Sequence, residues 1–432
     1  MYFRFAPFFN NLNKIAIPEI AECYWDFPCP SLFDPTTVLR EQLERSSLAC
    51  TIKPGTRIAI TAGSRAICQI DAILAQICGY IKKLHAKPVI ISAMGSHGGA
   101  TAAGQRKILN AYGITPERVG APVVCSVKAV EIGKTDDGMP VFIDTEALKA
   151  EGIIVVNRIK PHTSFRASHE SGILKMLVVG LGKERGARSM HQRGVRGLVD
   201  GMPQAARVIM RQLPVLLGIG ILENAHGDIA AIEAIEPSEI EKKEARLLRR
   251  AKQLVPIIPF KKIDVLIVQQ MGKDISGTGL DTNVIGRRMI AGEPEPKTPA
   301  ISRIVLLDLS EHSQGNATGI GLADIITRRL YDKIHFEKTA CNVISSTFLE
   351  RAKIPLIMPT DKSAIQLGLM TCWAADPRAA RIMMIKNTRC LQHFFISKSL
   401  LSEAQQINNL HCCAQNFSPF LFNKQGHLKT YF

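Results

Sequence analysis

The sequence predicts an α/β fold of two domains with Rossmann-like parallel sheets flanked by helices. Three observations predict it. Short β-branched runs alternate with Gly-rich polar loops and helical stretches, the pattern of strands layered under helices. With 432 residues, the chain is longer than one hydrophobic core usually serves. Pro256 and Pro259 follow a charged helical stretch and precede a new apolar run, which marks a break between domains.

The elements follow in order. A strand over 57–61 runs into Ala62, Gly63, Ser64 and Arg65, and apolar periodicity then predicts a helix over 67–84. A strand over 88–92 leads to Met94, Gly95, Ser96, His97, Gly98 and Gly99, with a helix through Leu109. The run 152–156 ends at Asn157, Arg158, Ile159, Lys160, Pro161 and His162. A helix is expected over 241–252, read as a solvated amphipathic face on which Glu241, Glu244, Leu247 and Leu248 interleave with basic residues. Strands over 265–268 and 304–307 then end at Gln269, Gln270, Met271, Gly272 and Lys273, and at Asp308. The expected organisation is an N-terminal domain over 1–255, a C-terminal domain over 260–385, a helix over 386–408 returning to the first domain, and an atypical or disordered tail over 409–432. In parallel sheets ligands bind beyond the carboxyl ends of the strands, so these loops are expected to converge.

Composition excludes several classes. The chain is 46% hydrophobic and 21% charged, as in ordinary globular proteins. No run approaches the ~18 apolar residues of a membrane span. Residues Met1 to Ile20 lack the apolar block and cleavage site of a signal peptide, so a cytoplasmic location is expected. Eleven cysteines are scattered without a CxxC pair and read as buried or free thiols. The net charge of +16 is spread along the chain rather than clustered, which argues against a nucleic-acid groove and suits small anionic substrates.

Two motifs carry chemistry. His97 among Gly95, Gly98 and Gly99 is either a base brought close to a ligand or an incidental residue of a Gly-rich turn. Lys175 lies between Ile173, Leu174 and Met176 to Val179, where an ammonium loses solvation. It either snorkels from a helix or is held there for covalent chemistry. His169 is an additional polar group nearby, His226 reads as a turn residue, and Trp373 as part of a core.

The ordered set His97, Pro161 with His162, Ser171 and Gly172 before Lys175, His191, and Gln270 with Lys273 resembles the nickel-dependent lactate racemase family. Two departures accompany the resemblance. Ala62 stands three residues before Arg65 where the family commonly has Asp, and the stretch from His162 to Lys175 is longer and contains His169.

The resemblance implies a racemase or epimerase of a small, lactate-like 2-hydroxy acid, with its active site in the interdomain cleft. It implies nickel and the pincer cofactor pyridinium-3-thioamide-5-thiocarboxylic acid mononucleotide, joined covalently to Lys175, with His191 as the protein's nickel ligand. Arg65, Ser171 and Gly172 would bind the cofactor, and Arg65, Gln270 and Lys273 the substrate. His97 and His162 would be the two general bases, one for each enantiomer. The implied partners are the proteins that build the cofactor and insert nickel, with neither nucleic acid nor membrane. A non-catalytic binder of acidic metabolites or nucleotides on the same fold is the alternative. An NAD-dependent enzyme is disfavoured, because no GxGxxG turn with an acidic residue downstream follows an early strand.

Overall fold

The unbroken apolar runs become strands buried on both faces. A computed structural model describes residues 11–413, 415–429 and 431–432. The part of the signal-peptide reading that rests on residues 1–10 lies outside the described residues.

In chain order the strands are β1 (Ile20–Trp25), β2 (Arg57–Ala62), β3 (Lys87–Ser92), β4 (Val123–Val124), β5 (Ala129–Lys134), β6 (Pro140–Asp144), β7 (Gly152–Arg158), β8 (Val215–Glu223) and β9 (Ile229–Ile235). They continue with β10 (Lys262–Met271), β11 (Ala300–Leu309), β12 (Ile325–Thr327), β13 (Leu356–Met358), β14 (Ile382–Asn387), β15 (Cys390–Ser397) and β16 (Leu410–Cys412). The chain divides into two compact units. One is Cys29–Val255; the other combines the segment up to Pro28 with Pro256–Phe432.

The Cys29–Val255 unit is built on a sheet of order β4-β3-β2-β7-β8-β9, parallel except for the β8/β9 pair. Because successive side chains of a strand point to opposite faces, β7 sends Ile153 and Val155 into one core and Ile154 and Val156 into the other. Helix Ile70–Lys83 covers one face with Ile70, Ile73, Leu74, Ile77 and Ile81, a stripe at helical spacing. Helices Met202–Gln212 and Ile240–Leu254 cover the other. The hairpin β5/β6 is a separate two-stranded sheet.

The second unit has an eight-stranded sheet of order β13-β12-β11-β10-β14-β15-β1-β16, whose first five strands are parallel and whose remaining pairs are antiparallel. Its strands also alternate between two cores, with Leu266 and Val268 of β10 facing one and Val265 and Ile267 the other.

Four expectations are corrected here. The N-terminal domain does not begin at residue 1, because β1 pairs with β15 and buries Ile20 and Cys23 in the second unit. Residues 386–408 are not a helix returning to the first domain: the segment holds β15, followed by two short helical turns over Lys398–Leu400 and Leu401–Ala404. The tail is not structureless, since β16 pairs with β1, Ser418 bridges Ile20, and Phe420 is buried. Nor are all cysteines thiols, because Cys23 and Cys412 face each other across β1/β16 and form a disulfide.

Trp373, expected in a core, is 84% exposed and stacks under the Arg303 guanidinium at 4.6 Å. Among the described residues no helix is long and apolar enough to cross a membrane.

Candidate active site

The loops after β3, β2, β7 and β8 follow adjacent strands of the Cys29–Val255 sheet, so their residues share one edge. His97 lies in the β3 loop and Ser64 in the β2 loop. Ser64 Oγ and His97 Nδ1 form a hydrogen bond. Each partner is anchored separately. The Tyr112 hydroxyl donates to the Ser64 carbonyl at 3.2 Å. Gln105, fully buried, donates from Nε2 to the carbonyls of Gly95 and His97, at 3.4 Å each, and accepts from Ser92 Oγ at 2.7 Å. Gly98 has φ +68°, and a Cβ there would lie 2.7 Å from the Gln105 nitrogen, so only glycine lets the loop close onto that helix.

Lys175 ends the single helical turn Ile173–Lys175, which runs into a π-type turn over Met176–Gly180. Turns of that kind often accompany functional positions, because the extra residue re-aims the side chains around it. Lys175 is half-buried. Burial, and then the charges of Arg65 and Lys160, push its ammonium down to about 7. His191, also half-buried, closes helix Lys183–His191. Burial and the neighbouring Lys175 charge lower its imidazole to about 4, which keeps the ring neutral at physiological pH. Arg65, Lys160 and His191 therefore each lie within electrostatic reach of Lys175, and Arg65 adjoins Ser64 in sequence.

The turn bearing Lys175 is fastened from two sides. Lys160 and Ser171 exchange backbone hydrogen bonds of 2.9 and 3.3 Å, which pinches the loop holding His162 closed at its base. Asn157 Nδ2 donates to the Gly172 carbonyl at 2.7 Å. Below the turn, Glu244 accepts from the Leu174 amide at 3.0 Å, and burial pushes its carboxyl up to about 7. A Cβ on residue 172 would sit 2.5 Å from Glu244 Oε1, so Gly172 is there to let the carboxylate approach. Glu244 is 1% exposed, which corrects its expected place on a solvated helix face.

His162 is held by other contacts. Its amide donates to Glu170 Oε2 at 2.7 Å, its Nδ1 accepts from the Ser164 amide at 3.1 Å, and its ring lies 4.5 Å from Phe165. His169 Nε2 pairs with the Glu241 carbonyl at 2.8 Å, and His226 sits in the β8/β9 turn, where its amide donates to Asn224. Lys183 is fully buried at φ +56°, paired with Asp144 at 2.8 Å and hydrogen-bonded to Ser92.

Gln270 and Lys273 belong to the other unit, at the carboxyl end of β10. The Lys273 ammonium donates to the Gly277 carbonyl and to Asn342 Oδ1, at 2.6 Å each.

Sequence reasoning missed Ser64, Lys160, Glu244 and the Lys183–Asp144 pair. Glu244 had a legible signal, because Ile240, Glu244, Leu247, Leu248 and Ala251 form one helical stripe, and a carboxylate on a buried stripe has a specific partner. The others carry no comparable pattern.

A doubly wound α/β unit with a tuned amine and histidines at its strand ends has the architecture of an enzyme. Residues 35–197 match the family model described as lactate racemase N-terminal domain. The matched residues include His97, His162, Lys175 and His191. Among solved structures, the lactate racemase apoprotein from Thermoanaerobacterium thermosaccharolyticum is similar, with 14% identity over 79% of this chain and 87% of that chain, and a TM-score of 0.47. No curated protein matches the chain.

Proposed function

We propose that the chain inverts the configuration at C2 of a small 2-hydroxy acid, with the reacting group carried on Lys175 and a nickel ion held by His191. The observation that carries this reading is the electrostatic coupling of Lys175 to His191: an amine brought to about 7 beside an imidazole brought to about 4.

These residues fit a nickel-pincer pyridinium cofactor. An amine that is about half neutral at pH 7 can be acylated, and a neutral imidazole has the lone pair a metal needs. The cations Arg65 and Lys160 suit the phosphate of a mononucleotide. Among the described residues no three His, Cys, Asp or Glu side chains form a cluster that could hold a metal, so at His191 the remaining ligands would come from the cofactor. When bound, the cofactor supplies a hydride acceptor, which no side chain provides.

The rest falls to the chain itself. Arg65 holds the substrate carboxylate. As the C2 hydrogen leaves, the hydroxyl proton would pass to an imidazole, that of His97 for one enantiomer and His162 for the other, the latter once its Nδ1 has released the Ser164 amide from which it accepts. Each base contributes roughly 10²-fold or more. For inversion to be complete, the other imidazole, in its protonated form, would return a proton to the C2 oxygen of the planar 2-keto acid. The reading brings with it a cytoplasmic location and partners that make the cofactor and insert nickel.

The test is co-expression with those cofactor-making proteins, followed by intact mass, nickel analysis and turnover of a substrate deuterated at C2. A mass increment on Lys175, bound nickel and racemisation that keeps the deuterium are the expected results. Unmodified Lys175 without nickel, or label lost to water during racemisation, would overturn the reading.

A further inference from the structure

We propose that Ser64 is a positioning residue for His97, which fixes the imidazole as the tautomer protonated at Nδ1 and so makes Nε2 the atom that takes and returns the substrate proton. The geometric part stands on the structure alone; the catalytic part rests on the reading of His97 as a base given above.

In a neutral imidazole one nitrogen bears the proton and the other the lone pair, and the partner of one decides the role of the other. Here the partner at Nδ1 is the Ser64 hydroxyl. A hydroxyl can donate or accept, so two arrangements satisfy the contact. If Ser64 donates, Nε2 carries the proton and is no base; once the ring becomes imidazolium the hydroxyl must swing round. If Nδ1 donates, the same Nδ1–H···Oγ bond persists in the neutral ring and in the imidazolium. A base that alternates between these forms in every turnover needs no reorganisation in the second arrangement, and preorganisation of that kind lowers a barrier.

The surroundings favour this use of the contact over an incidental one. Ser64 and His97 follow adjacent parallel strands, whose last residues Ala62 and Ser92 are in register. The Ser64 carbonyl is pinned by Tyr112 and the His97 carbonyl by Gln105, so both ends of the hydrogen bond are fixed to the scaffold by contacts that do not involve the ring. Ser64 also immediately precedes Arg65, the guanidinium assigned to the substrate carboxylate. A single loop then sets the substrate's acid group and the state of the base that acts on it.

The experiment is long-range 1H–15N correlation on the full chain labelled with 15N-histidine at pH 8, with His97→Gln to assign the resonance. The native chain is expected to show His97 protonated at Nδ1, Ser64→Ala to show a mixture of tautomers, and Ser64→Thr, which keeps the hydroxyl, to restore the native pattern. A native His97 protonated at Nε2, or a Ser64→Ala spectrum identical to the native one, would overturn the proposal. If Ser64→Ala fails to fold, the native and Ser64→Thr spectra still decide it.

In the cofactor-loaded enzyme, Ser64→Ala is expected to lower kcat/KM by up to ~10²-fold, equally in both directions because the two enantiomers have equal free energy, and Ser64→Thr to restore it. An unchanged kcat/KM in Ser64→Ala would speak against it. The spectra need no cofactor, so a native chain with the expected tautomer but no racemisation would sink the functional reading and leave Ser64 in its role.

Discussion

Lys175 shows how far a residue's chemistry is set by what surrounds it. Its amine is lowered from 10.5 to about 7 by burial and by Arg65 and Lys160. At pH 8 it is then roughly nine-tenths neutral, while an exposed lysine near ~10.4 is almost wholly charged. Acetic anhydride in limiting amount at pH 8 is therefore expected to acylate Lys175 ahead of surface lysines, and at about pH 11, where surface lysines are largely neutral too, the preference should vanish; peptide mass mapping reads both. Stability moves the same way. Between about 7 and 10.5 the unfolded chain binds more protons at this residue than the folded one, so stability rises with pH there. Lys175→Met should accordingly raise the melting temperature most at pH 6 and least at pH 9. At this scale the sequence is readable where a residue type is rare and its neighbours constrain it. A lysine amid Ile173, Leu174 and Met176 stands out; a serine after a glycine does not, and Ser64 gains meaning only when another strand brings His97 to it.

Helix Ile240–Leu254 does more than cover a sheet. It delivers the Glu244 carboxylate to the amides of the turn that ends in Lys175, and Gly172 leaves the space for it. The carboxyl is raised from 4.5 to about 7, so the folded state holds the extra proton between those values and stability falls as pH climbs through them. The full effect is on the order of 3 kcal/mol. Glu244→Gln is expected to remove that fall, seen as a denaturant midpoint that drops less between pH 5 and pH 8 than the native midpoint does. Gly172→Ala should cost about 1–3 kcal/mol through overpacking. Combined with Glu244→Ala it should cost less than the two single changes added together, because the clash is gone. Strand positions were legible from unbroken apolar runs such as Ile153 to Val156, which both cores claim. The polar member of a buried helical stripe, Glu244, was overlooked although Ile240, Leu247 and Leu248 share its stripe, because a periodicity count assigns every charge to water. The three-residue β16 was illegible for a different reason: it is too short to show a period and is a strand only because β1 lies beside it.

Across the whole molecule the two units differ in how the chain enters them. Cys29–Val255 is continuous, whereas the second unit is assembled from both ends, with β1 between β15 and β16 and the Cys23–Cys412 disulfide closing a separation of 389 residues. Closing so long a loop restricts the unfolded chain, and stabilisation of up to ~5 kcal/mol is typical. Cys412→Ser is expected to lower the calorimetric transition of the second unit and leave that of Cys29–Val255 in place; an equal fall in both would show that the units melt as one. No local pattern reveals a pairing between residues so far apart, which is why the sequence placed β1 with its neighbours in the chain.

The same insertion sets a timetable for synthesis. On the ribosome the first strand emerges early, but its partner is made only after the entire Cys29–Val255 unit has been translated. Until then its edges have no mate, and whatever keeps them from wrong liaisons in that interval decides how much protein a cell recovers. A circularly permuted chain that begins at Cys29 and carries the native amino-terminal segment after Phe432 would remove the wait.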